Sequence, residues 1–145
     1  MNGKDFNAVV SLILREDTRY DRGAYFFLRE ALDYTVKKQA KAPRAGRTRH
    51  VDGPTLCEGI REFALQQYGP MAATLLAEWG LKETADFGEI VYNLVDYNVF
   101  GVQETDRKED FAGVYDFDTA FAAPFRPRQQ HAMARRHSTA PFNVL

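Results

Sequence analysis

Cys57 is the chain's one cysteine. With His50, His131, His137 and the carboxylates between positions 104 and 118, it completes a short inventory of groups able to do chemistry. A thiol becomes a nucleophile when a nearby base or positive charge lowers its pKa, but Cys57 sits near the apolar stripe of a helix, where burial acts in the opposite direction. It reads as a core thiol. The three histidines fall in arginine-rich segments with no rigid frame to aim a general base. The cluster Glu104, Asp106, Glu109, Asp110, Asp116 and Asp118 is the densest set of hard oxygen ligands. Its spacing lacks the alternating ligands, central glycine and closing glutamate of a calcium loop, so it reads as a solvated acidic turn. Asp118 is the expected cap of a short helix running through Phe121 and Phe125.

One cysteine excludes an intramolecular disulfide and a four-thiolate zinc site, and suits a reducing compartment. No phosphate loop, dinucleotide fingerprint or nucleophile elbow is present; the glycines fall where helices end. The expected catalytic set is therefore none, with no metal and no cofactor.

Charge is the stronger signal. The net charge of −1 conceals a partition: residues 1–20 balance, 21–50 carry +5, 51–122 carry −10 and 123–145 carry +4. Lys37, Lys38, Lys41, Arg44, Arg47 and Arg49 form a run of six cations without an acid, and Arg126, Arg128, Arg135 and Arg136 form a second basic group. Either could remain a solvated segment, bind an anion such as RNA, or lie against the acidic stretch.

These groups need elements to hold them, and the apolar spacing supplies helices. Phe6, Val9, Val10, Ile13 and Leu14 predict a helix over 4–16, and Tyr25, Leu28, Leu32 and Val36 predict a second, capped by Asp21. Pro43 and Gly46 break the pattern into a linker. Asp52 caps a third helix, with Pro54 in its first turn, a capping box at Thr55 and Glu58, and a stripe of Leu56, Ile60, Phe63 and Ala64. Gly69-Pro70 ends it and starts a short fourth, which Gly80 terminates. Thr84 is the expected cap of a fifth, with Phe87, Ile90, Val91, Leu94 and Val95 inward.

The fold class is mainly α: an N-terminal helical pair (1–40), a basic linker (41–51), an acidic winged-helix-like module of three helices and a small β-hairpin over 102–117 (52–122), and a basic tail (123–145). The alternative is a plain helical bundle with an irregular loop. In a winged helix the last of the three helices enters the DNA major groove, yet residues 84–99 hold no lysine or arginine and three acids, so repulsion from the phosphates disfavours that docking mode.

The phrases Tyr20–Leu28 (YDRGAYFFL), Gly69–Ala72 (GPMA), Asp86–Val91 (DFGEIV) and Arg107–Phe111 (RKEDF) resemble segments of a family of short proteins from planctomycetes and verrucomicrobia. The similarity spans roughly residues 4–118. It implies a bacterial cytoplasmic protein. The family has no assigned activity, so no site residue carries over.

These readings converge on a non-enzymatic binding or adaptor protein that engages another protein through its acidic, aromatic-rich module. The alternative is a nucleic-acid or ribosome-associated factor using the linker and tail cations. No stretch approaches the 18 apolar residues of a membrane span, and no membrane partner is expected.

Overall fold

The computed structural model describes residues 3–41 and 50–127. Five helices carry the architecture: α1 (Gly3–Glu16), α2 (Arg22–Lys41), α3 (Gly53–Tyr68), α4 (Ala72–Glu78) and α5 (Thr84–Asp96). Beyond them lie a 3-10 turn at Lys108–Phe111, a π-helical turn at Asp118–Ala122 and a further 3-10 turn at Ala123–Phe125. The chain is mainly α. No helix among the described residues is long and apolar enough to cross a membrane.

Local chemistry sets the helix ends. Asp52 accepts a hydrogen bond from the Thr55 amide at 2.9 Å and opens α3, satisfying one of the amides a helix leaves unpaired. Glu58, placed in a capping box from sequence, instead pairs with Arg61 at 3.0 Å. At the end of α4, Gly80 takes a φ of +88°. Its amide bonds to Ala77 and the Leu81 amide bonds to Leu76, the paired closure that buries the apolar residue after the glycine. The start of α5 differs from expectation: Glu83 is the cap, and the Asp86 carboxylate accepts its amide at 3.1 Å. Thr84 is buried, and its hydroxyl accepts the Val114 amide at 3.1 Å.

One buried cluster runs from Phe6, Val10 and Ile13 of α1 through Tyr25 and Leu28 of α2, Leu56 and Ile60 of α3, Leu76 of α4 and Phe87, Ile90 and Leu94 of α5 to Phe111 and Phe121. Aromatic rings join its layers: Phe27 of α2 lies 5.8 Å from Phe63 and 5.4 Å from Trp79, centroid to centroid. Phe117 packs against Phe87 at 5.5 Å and against Phe121 at 5.1 Å. Such contacts add to the burial energy through favourable ring geometry, and they anchor the C-terminal turns on α5.

A polar network seals the turn between α1 and α2. Arg19 donates to both oxygens of Asp17, at 3.0 and 2.7 Å, and to Glu89 at 3.2 Å; Lys108 also reaches Glu89, at 3.2 Å. Asn93 donates to Asp17 at 2.9 Å and to the Tyr25 hydroxyl at 3.1 Å. The turn is thereby tied to α5, and through Lys108 to the 3-10 turn.

Among the described residues no strand forms. The hairpin placed over 102–117, and the winged helix that depends on it, are not found. The reason lies in the acids of this segment. Asp106 accepts the Gln103 amide at 2.7 Å and Asp110 accepts the Arg107 amide at 3.1 Å, so side chains take backbone donors that a strand ladder would need. Phe111 then drops into the core.

Candidate functional site

The segment that fails to become a hairpin instead walls a cavity of about 280 Å³. Leu32 of α2, Leu56 of α3, Val91 of α5 and Phe111 supply apolar lining, with Val99, Phe100 and Val102 on the loop after α5. His50, Tyr92, Asp106, Arg107 and Asp110 supply the polar groups. The volume sits just under the usual lower end for ligand pockets, about 300 Å³, and above the ~150 Å³ cavity that accepts benzene.

Close packing fixes the wall. A Cβ at Gly88 of α5 would meet the Phe111 ring and Cβ at 3.0 Å, and one at Gly53 would meet Asp110 Cβ at 3.1 Å. Without side chains at 53 and 88, the 3-10 turn settles directly onto α3 and α5. That contact carries Asp110 and Phe111 to the cavity edge.

His50 and Asp106 close one side. The imidazole Nε2 lies 3.0 Å from Asp106 Oδ2 and 3.1 Å from Oδ1. The His50 carbonyl accepts from Gln39 Nε2 at 3.2 Å, while Gln39 Oε1 is buried with no partner among the described residues. Asp110 gives one carboxylate oxygen to the Arg107 amide. Burial raises the Tyr92 phenol above its ordinary value, and the Asp106, Asp110 and Glu109 carboxylates push it further.

His50 was placed by sequence in a basic segment with nothing to aim it. Its partner is 56 residues away, and local spacing carries no signal of the pairing. Of the acidic cluster, Asp106 and Asp110 reach the cavity. Asp116, not Asp118, takes the capping role, accepting the Thr119 amide at 3.0 Å. Asp118 pairs instead with Arg126 at 2.6 Å.

Of the cations singled out as anion-binding candidates, Lys37, Lys38, Lys41 and Arg126 lie among the described residues. Lys37 pairs with Asp33 one turn back at 3.0 Å. Lys38 bridges to Glu62 of α3, and the two hold each other charged: the ammonium pKa is raised and the carboxyl pKa lowered by their hydrogen bond. Lys41 ends α2, exposed. Arg44, Arg47, Arg49, Arg128, Arg135 and Arg136 lie outside the described residues, as do His131 and His137.

Cys57 is buried on α3, and burial pushes its thiol up to about 12. The Tyr115 hydroxyl donates to the Cys57 carbonyl at 2.7 Å, which pins the segment after the 3-10 turn to α3. A protonated, enclosed thiol is a packing group.

No family model, curated protein or solved structure matches the chain closely enough to argue from.

Proposed function

We propose that this protein is a non-catalytic binding module that engages another protein by receiving one of its side chains in the cavity between α2, α3, α5 and the 99–111 segment. The observation that carries this reading is the cavity itself: lined by apolar, aromatic and charged groups together, and sized for one side chain. Its walls are preorganised by helix packing and carboxylate caps, which reduces the ordering cost of binding. The chain's one thiol, Cys57, is buried on α3 and does not line the cavity.

The test is an NMR titration of the full chain with N-acetyl amides of leucine, phenylalanine, lysine, arginine, serine and glutamate. Saturable shifts of the Leu56, Val91, Val99 and Val102 methyls are expected, with dissociation constants near about 1 mM, as befits a single side chain. Val102 is 44% exposed, so Val102→Trp should obstruct the cavity while leaving the thermal midpoint in place. Absence of saturable shifts from every amide, or shifts that survive Val102→Trp unchanged, would overturn the reading.

A further inference from the structure

We infer that the side chain received is cationic, a lysine or arginine of the partner, with its aliphatic stem on the apolar lining and its charged head between the Asp106 and Asp110 carboxylates. This rests on the binding reading above and specifies the chemistry of its ligand.

Three observations converge. First, the cavity lining combines apolar side chains with two carboxylates, and long cationic side chains combine the same two characters: a methylene stem that prefers apolar contact and a head that needs charge or water. Second, the carboxylates are already oriented. Asp106 is held by the Gln103 amide and His50. Asp110 is held by the Arg107 amide through one oxygen. Third, Tyr92, Phe100 and Phe111 are lining residues, and aromatic faces attract ammonium and guanidinium groups.

Two positive groups share the edge and must be weighed. Arg107 is exposed, and His50 faces Asp106, whose charge it partly answers. Against them stand the Asp106 and Asp110 carboxylates, both of which line the cavity. The stretch 51–122, with its net −10, extends their charge outward and would steer basic partners toward the cavity. An inorganic cation fits less well, because among the described residues no three His, Cys, Asp or Glu side chains come together as metal ligands.

The same amide panel decides. Lysine and arginine amides are expected to bind roughly tenfold more tightly than leucine or phenylalanine amides, the ratio for one charge-assisted contact, and to weaken as salt is added. Asp106→Asn and Asp110→Asn keep an oxygen for each backbone cap and remove the charge. Together they should erase that preference without changing leucine amide binding. Arg107→Gln should tighten lysine amide binding by removing a like charge. Equal affinity for leucine and lysine amides would leave the binding reading standing and overturn the cationic one. Tighter binding of the glutamate amide, or weaker lysine amide binding in Arg107→Gln, would overturn it as well.

Discussion

The Tyr20 hydroxyl donates to Asp86 Oδ1 at 2.6 Å, joining residues 66 positions apart. The same carboxylate accepts the Lys82 and Glu83 amides through its other oxygen, at 2.8 and 3.1 Å. One side chain therefore caps α5 and fastens the α1–α2 turn to it. Tyr20→Phe keeps the ring and the cap but removes the cross-link, and should cost about 1–2 kcal/mol in urea denaturation. Burial first, and Asp86 second, raise the Tyr20 phenol above its ordinary value. A raised acid stabilises the fold in its protonated form, so this contribution is complete below about pH 10 and is lost as pH climbs past it. Stability of the wild type should fall more steeply than that of Tyr20→Phe across the alkaline range.

Asp17 makes the opposite prediction. The Arg19 guanidinium, helped by Asn93, holds its carboxyl well below the usual carboxylate range despite the opposing effect of burial. A depressed carboxylate stabilises the fold in its ionised form, so the contribution is present above about pH 4 and disappears as pH falls below it. Asp17→Asn should lose about 1–3 kcal/mol at neutral pH. Its stability should also depend less on pH below 4 than that of the wild type, as measured by denaturant midpoints at successive pH values.

Cys57 should be chemically silent until the protein opens. With the thiol buried and raised to about 12, labelling by a chromogenic disulfide at pH 8 should run more than about a hundredfold slower in the native protein than in urea. The labelling rate should follow the unfolding curve. Rapid stoichiometric labelling of folded protein would contradict the enclosed placement.

The contact between α2 and α3 depends on Gly59. A Cβ there would lie 1.8 Å from Thr35 Oγ1, the hydroxyl that donates to the Ala31 carbonyl at 2.7 Å. Gly59→Ala must push the helices apart or displace Thr35, at a cost of about 1–3 kcal/mol. Adding Thr35→Ala removes the closest atom but leaves Thr35 Cβ at 2.8 Å, so the double variant should recover part of the loss. Thermal melts of the two single variants and the double complete the cycle.

Sequence alone determined what depends on near neighbours. The apolar stripes of α1, α2, α3 and α5, the Asp52 cap, the break at Gly69-Pro70 and the positive φ at Gly80 all arise from residues within a turn or two of each other. Their periodicity and capping chemistry are therefore legible in the chain. The burial of Cys57 followed from the same stripe. Tertiary structure decided the rest. Whether 102–117 would pair as strands depended on Asp106 and Asp110 capturing amides and on Phe111 finding space over Gly88. Which acid capped the last turns, Asp116 or Asp118, depended on Arg126 engaging the latter. The cavity edge exists because α2, α3 and α5 bring His50 within 3.0 Å of Asp106. Contacts across so many residues leave no periodic trace, since the chain between them only has to be long enough to let the helices pack.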